Sequence, residues 1–185
     1  MKLRLALAVV IASVLSLPAL AQQPPGVGDL FAGITSEPAT HTAFTFDHDM
    51  LESMSGAFGA DGTLMAGLNS ITFENYRFRE PAFYVPEQTH AIIAAYHAAG
   101  WKHLVEANIT PRESAQPTKP ITDLWLHFAG TDIDGVTVLV RGVKQMTVVE
   151  VTGILKPLDM VHLSGHFGIP KVDPNAVMVP APDGR

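Results

Sequence analysis

The sequence predicts an α+β domain, in which a mostly antiparallel sheet of four to five strands carries two or three helices packed on one face. Three observations lead to this fold class. Two segments have the apolar spacing of amphipathic helices, a run of β-rich segments follows the second, and glycine or proline separates most of these segments. Helices that do not alternate regularly with strands are typical of α+β domains rather than of parallel α/β folds.

Helices are predicted from capping residues and apolar spacing. In FDHDMLESMSGAF, Asp47 or Asp49 can cap a helix whose apolar residues recur every three or four positions. In VPEQTHAIIAAYHAAGW, Pro86 suits the first helical position, and Gly100 suits the left-handed conformation that often ends a helix. A third, short helix is expected in LDMVHLSGHFG, directly after Pro157.

Strands are predicted where apolar and polar residues alternate or where β-branched residues concentrate. The segments are residues 71–80, 101–109, 121–130, 136–140 and 146–155. We expect the last three to form an antiparallel meander, with one turn in TDIDG at the dipeptide Asp134–Gly135 and another in RGVKQ. Val149 and Val151 should then face the helical layer. TPRESAQPTKP is rich in proline, which cannot donate to a sheet ladder, so we expect a loop there.

The first 21 residues have the organisation of a secretory signal peptide. Lys2 and Arg4 precede an apolar run from Leu5 to Leu17, and small residues lead up to Ala21. The alternative is a membrane anchor, but the run is short for a hydrocarbon layer of about 30 Å and ends at Pro18. We therefore expect cleavage after Ala21 and a periplasmic or secreted mature protein.

The remaining chain is interpreted as one domain with flexible ends. Residues 22–41 are rich in proline, glycine and small polar residues, so we expect a flexible tether. Residues 42–171 contain all the predicted helices and strands. Residues 172–185 contain several prolines and no apolar period, and we expect a disordered tail.

Composition excludes several classes of function. Removal of the leader takes away Lys2 and Arg4, two of the 12 basic residues, and changes the formal net charge from −6 to −8. Such an acidic protein is a poor partner for nucleic acid or for an anionic membrane, and we expect neither as a partner. The chain has no cysteine, which excludes disulfides, a thiol nucleophile and acylation as a lipoprotein.

The segment HLSGHFGIP contains a candidate metal site. His162 and His166 are four residues apart, so on a helix both imidazoles share one face and can bind one metal ion. A zinc site needs a third or fourth ligand: Asp159 is close in sequence, and His127 or Glu150 could approach from the sheet. No glutamate follows His162, as it does in H-E-x-x-H hydrolases. We favour the simpler interpretation, two surface histidines at a helix end, and we predict no cofactor.

No catalytic residue is predicted elsewhere in the chain. Ser53, Ser55 and Ser164 lie outside the G-x-S-x-G pattern of a nucleophile elbow, and the sequence has neither a P-loop nor a dinucleotide-binding glycine pattern. Trp101 and Trp125 are expected in the core, as large aromatic residues usually are. The alternative for Trp125, which lies on the strand face opposite its two leucine neighbours, is that it lines a ligand groove.

Three motifs together resemble the DUF4252 family of exported bacterial domains of unknown function. They are AAGWKHLVEA after an amphipathic helix, the strand–hairpin–strand that ends in MTVVEVTGIL, and the ending LSGHFGIP. The likeness covers roughly residues 44–171. The resemblance implies no catalytic residues, and the family's ending pattern L-x-G-x-F-G-I-P is permissive at the positions of His162 and His166.

These observations lead to one preferred function and two alternatives. We expect an exported, periplasmic, non-enzymatic domain that binds a protein or a small ligand in the cell envelope. The first alternative is a histidine-dependent metal-binding protein or hydrolase. The second is a structural partner that joins sheet edges, because a meander ends in an exposed strand unless a helix or another chain covers it.

Overall fold

The computed structural model describes residues 31–56, 67–105, 108–155 and 177–179. Within these residues lie three helices and seven strands of one sheet, which confirms the α+β class. The helices are α1 (His48–Ser55), α2 (Pro86–Ala98) and α3 (Pro111–Ala115). The strands are β1 (Ala39–Asp47), β2 (Leu68–Phe78), β3 (Lys102–Val105), β4 (Ile121–Ala129), β5 (Asp132–Arg141), β6 (Gln145–Leu155) and β7 (Val177–Val179). The predicted leader and the helix predicted after Pro157 lie outside the described residues.

The sheet has the order β1-β2-β6-β5-β4-β3-β7, and all six neighbouring pairs are antiparallel. The neighbours β4, β5 and β6 form the predicted meander. The prediction of four to five strands is too low, because it lacks β1 and β7. Eight of the nine residues of β1 are exposed, so its sequence has no buried face to mark it as a strand. Val177–Val179 pairs with β3 within the segment that was expected to be disordered.

The turn between β4 and β5 lies four residues earlier in the chain than predicted. Ala129 pairs with Asp132, so Gly130 and Thr131 form the two-residue connection, and Gly130 has a left-handed φ of 69°. The predicted turn at Asp134–Gly135 is wrong, because both residues lie inside β5. Position 135 requires glycine because of packing rather than because of a turn. A Cβ atom there would lie 2.6 Å from Cη2 of Trp101.

The helix ends follow the capping residues of the sequence. Asp47 is the N-cap of α1, and its side chain accepts a hydrogen bond of 3.0 Å from the backbone N–H of Met50. Helix α2 begins at Pro86, and Gly100 just beyond its end has a φ of 87°. Both predictions are confirmed, and Asp47 rather than Asp49 is the cap.

Helix α3 lies in the segment that was predicted to be a loop. Thr110 and Glu113 form a capping box, in which each side chain bonds the other residue's backbone N–H, and Pro111 occupies the first helical turn. The prediction gave weight to the prolines and overlooked the T-x-x-E pattern around them.

Two hydrophobic cores lie on opposite faces of the sheet. The aromatic core contains Phe31, Ile34, Tyr76, Phe78, Ala82, Tyr84, Ile92, Tyr96, Trp101, Trp125, Leu139, Met146 and Val148. The valine-rich core contains Leu51, Leu68, Ile71, Leu124, Ile133, Val136, Val138, Val149, Val151 and Leu155. Val138 and Leu139 are successive residues of β5, and successive strand residues point to opposite faces, so the sheet separates the two cores.

The helices contribute to both cores. Ile92 and Tyr96 of α2 belong to the aromatic core, whereas Leu51 of α1 belongs to the valine-rich core, as Val149 and Val151 do. The expected arrangement with every helix on one face is therefore not confirmed. None of the helices in the part of the chain that the structure describes combines the length and the apolar character needed to cross a membrane.

The segment before β1 is anchored to the aromatic core. Phe31 and Ile34 are 1% and 0% exposed, and the carbonyl oxygen of Ile34 accepts a hydrogen bond of 2.9 Å from the backbone N–H of Val85. The prediction of a flexible tether over residues 22–41 is wrong for this part of the segment, because two apolar side chains outweigh its loop-like composition.

Candidate functional site

Within the part of the chain that the structure describes, the predicted metal ligands do not lie together. His162, His166 and Asp159 lie outside that part. His127 is half-buried in β4, and its Nδ1 lies 2.5 Å from Oδ1 of Asp134. Glu150 is buried in β6, and its register partner in β5 is Thr137. No group of three or more histidine, cysteine, aspartate or glutamate side chains suited to a metal ion occurs in the described ranges, and the histidine pair stays a prediction.

A cavity of about 460 Å³ lies between α2, α3 and one end of the sheet. Its walls are mostly apolar and include Pro86, Ile93, Val105, Ile109, Pro111 and Ala115. Three buried polar residues, His103, Asp123 and Arg141, also line it. Cavities of this size, apolar with a few polar groups, are typical of small-molecule sites.

Strand register brings the three polar side chains together. His103 in β3 pairs with Trp125 in β4, two residues from Asp123, and Arg141 in β5 pairs with Ile121. The odd-numbered positions of β3, of β4 from Ile121 to Trp125 and of β5 from Thr137 to Arg141 therefore face the aromatic core, since side chains alternate along a strand. The same alternation that buries Trp125 places a carboxylate, an imidazole and a guanidinium on its face.

The carboxylate of Asp123 is the centre of this His103–Asp123–Arg141 cluster. Oδ1 lies 3.2 Å from Nε2 of His103, and Oδ2 accepts a hydrogen bond of 3.0 Å from Nε of Arg141 and forms an ion pair of 2.9 Å with Nη2. Burial alone would raise the pKa of Asp123, but the hydrogen bond from His103 and the charge of Arg141 outweigh it and hold this pKa below its usual value. Asp123 is therefore a buried, ionised carboxylate with both oxygens engaged.

Arg141 joins this cluster to α3. Its Nη1 donates to the backbone carbonyl of Ser114 at 2.7 Å and to Oγ of Ser114 at 3.0 Å. Its Cζ lies 5.6 Å from the ring centroid of Tyr84. The Tyr84 hydroxyl donates to the carbonyl of Gly142 at 2.8 Å, and burial raises the pKa of Tyr84 to about 12. The guanidinium thus has most of its donors committed within the protein.

Within the His103–Asp123–Arg141 cluster, His103 has a ring nitrogen without a hydrogen-bond partner among the described residues, as do the neighbouring Trp101 and Trp125 at Nε1. The His103 ring stacks on Trp125 at 4.6 Å with an interplanar angle of 5°, and Trp125 stacks in turn on Tyr96 at 4.9 Å. Nε2 lies 3.2 Å from Oδ1 of Asp123. Nδ1 is buried and has no hydrogen-bond partner among the described residues. A buried polar atom left unpaired costs about 1–3 kcal/mol.

Sequence reasoning missed this cluster but not its surroundings. Both tryptophans lie in the core as expected, with Trp125 only 1% exposed. The overlooked feature was the position of the charged residues in the alternation of each strand, that is, which face of the sheet they share with their apolar neighbours. Asp123 is in phase with Trp125, and Arg141 is in phase with Leu139, so each occupies a position at which the strand pattern predicts an apolar residue.

Comparison of the chain with family models, with curated proteins and with solved structures finds no match. The resemblance to the DUF4252 family stays a prediction.

Proposed function

We propose that this chain is an exported, non-enzymatic domain of the cell envelope that binds a small ligand in the cavity between α2, α3 and β3–β5. The observation that carries the proposal is the buried His103–Asp123–Arg141 cluster beside that cavity. A fold maintains buried charges at a high cost in desolvation. Their position on a mostly apolar cavity favours a role in recognition.

The geometry of the cluster favours binding over reaction. Both oxygens of Asp123 are engaged, and Arg141 is held by Asp123 and Ser114. A general base or a substrate clamp needs an atom directed at the reacting group. Groups that are bonded to one another instead fix the shape and charge of the cavity wall.

Ligand binding can be tested with a pair of matched tryptophan variants. Ile109 lines the cavity, whereas Ile154 in β6 is 67% exposed and does not line it. Ligand-observed NMR with a library of one- and two-ring molecules should give binders for the wild-type protein. Ile109→Trp should lose them because the larger side chain fills the cavity, and Ile154→Trp should keep them. Binders that bind all three proteins equally would contradict the proposal.

Export is the second part of the proposal, supported by the leader-like sequence that ends at Ala21. We expect protein recovered from the envelope fraction to begin at Gln22, and intact-mass spectrometry measures this directly. A chain that retains residues 1–21 would show that the segment is an anchor. Membership of the DUF4252 family, with a periplasmic location, belongs to the same proposal.

A second candidate function, binding to a protein partner, is favoured by the edge strand β1. This strand lies at one edge of the sheet and is almost wholly exposed, and it carries Phe44, which is 52% exposed. An exposed strand edge can accept a strand of another chain. Light scattering of the wild type and of Thr42→Pro, which removes a backbone donor from β1, tests this candidate. If the wild type and Thr42→Pro are both monomers, self-association through β1 is excluded.

The metal-binding alternative is tested separately. Elemental analysis of the purified protein should find no stoichiometric metal ion if His162 and His166 are surface residues. An ion that is present in the wild type and lost in His162→Ala and His166→Ala would replace the ligand-binding proposal with a metal-dependent one.

A further inference from the structure

Strand β1 is a long edge strand without the features that usually protect the edge of a sheet. It has nine residues, whereas β7 at the opposite edge has three. Protected edges carry lysine, proline or a bulge, or another element covers them. The segment Ala39–Asp47 contains neither lysine nor proline, pairs with β2 without a register shift, and is exposed at eight of its nine residues. Its outer backbone groups are therefore available to a further strand.

One face of β1 extends the valine-rich core to this edge. Phe44 packs edge-on against Phe46 at 4.6 Å, and Phe46 packs edge-on against Phe73 of β2 at 6.1 Å. Phe46 and Phe73 also pack against the valine-rich core, whereas Phe44 is 52% exposed. An apolar surface that reaches an open strand edge is typical of an interaction site.

The other face of β1 carries groups of opposite kind near its two ends. His41 stacks on Tyr76 at 4.3 Å, and its Nε2 lies 3.1 Å from Oε2 of Glu74. Asp47 is exposed, and its Oδ1 accepts the hydrogen bond that caps α1. In an antiparallel pair of two such strands, the end with the imidazole of one strand lies beside the end with the carboxylate of the other.

These features of β1 are complementary to themselves at one register. Two copies of a strand can pair antiparallel about a two-fold axis, so that the same surface is used twice. With the axis at Phe44, this residue faces Phe44 of the second copy, Phe46 faces Thr42 of the second copy, and His41 faces Asp47 of the second copy. Aromatic pairs, aromatic pairs with a β-branched residue, and pairs of opposite charge are all favourable across strands.

The neighbouring register is less complementary. An axis at Ala43 would overlap the whole strand, but it would place Phe44 opposite Thr42 of the second copy and Asp47 opposite Ala39 of the second copy. The exposed ring of Phe44 would then lie against a smaller side chain and bury less apolar surface. The axis at Phe44 therefore uses both faces of β1 better.

We infer that two copies of this chain associate through β1, antiparallel and with the two-fold axis at Phe44, so that their two sheets become one continuous sheet. This inference rests on the second candidate function, binding through β1, and does not involve the cavity. The occupant is a second copy because both faces of β1 are complementary to themselves at the same register. The valine-rich cores of the two copies meet at the paired Phe44 rings.

The inference is tested first by charges placed at the axis. Phe44→Lys and Phe44→Glu each bring two like charges face to face, so each should raise the dimer dissociation constant about tenfold or more. An equimolar mixture of the two variants brings opposite charges together and should restore dimers. Analytical ultracentrifugation over a range of protein concentrations measures this. A monomeric wild type, or a mixture no more dimeric than the separate variants, would overturn the inference.

Phe128→Lys is the matched control for these variants. Phe128 is an exposed phenylalanine of β4, which lies away from β1 in the sheet, and it is 39% exposed. The control should form dimers as the wild type does. Circular dichroism shows whether each variant is folded. Loss of the dimer in Phe128→Lys as well would show a general effect of charge and overturn the inference.

Introduced cysteines test the register while Phe44 stays in place. The chain has no cysteine, so every disulfide comes from the substitutions. Ala43→Cys and Thr45→Cys lie directly opposite across the proposed axis, with Cβ atoms about 4.5–5.5 Å apart, whereas two copies of Ala43→Cys are diagonal neighbours at about 7–8 Å. Only the closer pair approaches the geometry of a disulfide.

Mild oxidation of a mixture of these two cysteine variants should join one chain of each, and intact-mass spectrometry identifies the joined chains. Ala43→Cys joined to itself in preference would place the axis at Ala43 and overturn the inference. A dimer that persists in Phe44→Lys but is lost in Thr42→Pro would overturn the inference and leave the second candidate function in place. A monomeric wild type would overturn the inference together with self-association through β1.

Discussion

Replacement of Arg141 by methionine tests whether the buried ion pair stabilises the fold. Methionine keeps much of the length of the side chain but removes the guanidinium. Four polar contacts are lost, two with Asp123 at 2.9 and 3.0 Å and two with Ser114 at 2.7 and 3.0 Å. The carboxylate of Asp123 then keeps only its contact with His103.

The size of the loss in stability depends on whether the buried carboxylate of Asp123 stays ionised in the variant. Breaking a buried pair by removal of one partner costs about 3–5 kcal/mol, because the other charge stays buried and unpaired. The variant can reduce this cost if Asp123 or His103 takes up a proton. At pH 7, protonation of a carboxyl group with a usual pKa of 3.8 costs about 4 kcal/mol, which limits the loss. We therefore expect Arg141→Met to lower the free energy of unfolding by about 3 kcal/mol at pH 7.

Urea unfolding followed by circular dichroism measures this loss. Because the folded variant binds more protons than the folded wild type, the loss should shrink between pH 7 and pH 5. Lys144→Met is the control, since Lys144 is exposed and its Nζ donates to the carbonyl of Arg79, and it should change stability by no more than about 0.5 kcal/mol. A loss below about 1 kcal/mol at pH 7, or a loss that grows as the pH falls, would refute the reasoning.

Two further predictions concern the backbone and the pH dependence. Gly153 has a φ of 135°, and a Cβ there would lie 2.6 Å from Cα of Leu68, so Gly153→Ala should destabilise by about 2–3 kcal/mol. Gly56→Ala, where nothing lies within 4 Å, should be nearly neutral in the same thermal melts, and equal melting temperatures would contradict this account. The lowered pKa of Asp123 adds stability that is fully present above its usual value of 3.8 and is lost as the pH falls through the lower folded value. Acid titration by circular dichroism should show this loss below about pH 4, and an unchanged profile in Asp123→Asn would contradict it.

The elements that could be predicted from sequence are those that carry their own local pattern. The cap at Asp47, Pro86 at the start of α2 and Gly100 beyond its end are local features, and each has the predicted role. Strand β1 lacks such a pattern, because eight of its nine residues are exposed and its pairing with β2 depends on backbone hydrogen bonds. Its threonines and phenylalanines have strand propensity, but nothing in their spacing marks a buried face.

The His103–Asp123–Arg141 cluster could not be predicted without the register between strands. Its members are 20 and 18 residues apart in sequence and meet across β3, β4 and β5.

The position of one turn decides whether Arg141 reaches Asp123. With the connection at Gly130 and Thr131, and with the register shift of one residue between His127 and Phe128, Arg141 pairs with Ile121, two residues from Asp123 on the same face. A turn at Asp134–Gly135 would instead place Arg141 opposite Phe128, near the other end of β4. This slip of seven positions removes the guanidinium from the carboxylate, and because seven is an odd number it also moves the side chains of β5 to the other face relative to β4. The cluster therefore depends on the two-residue turn at Gly130 and Thr131, and Trp101, which excludes a side chain at Gly135, supports the same register.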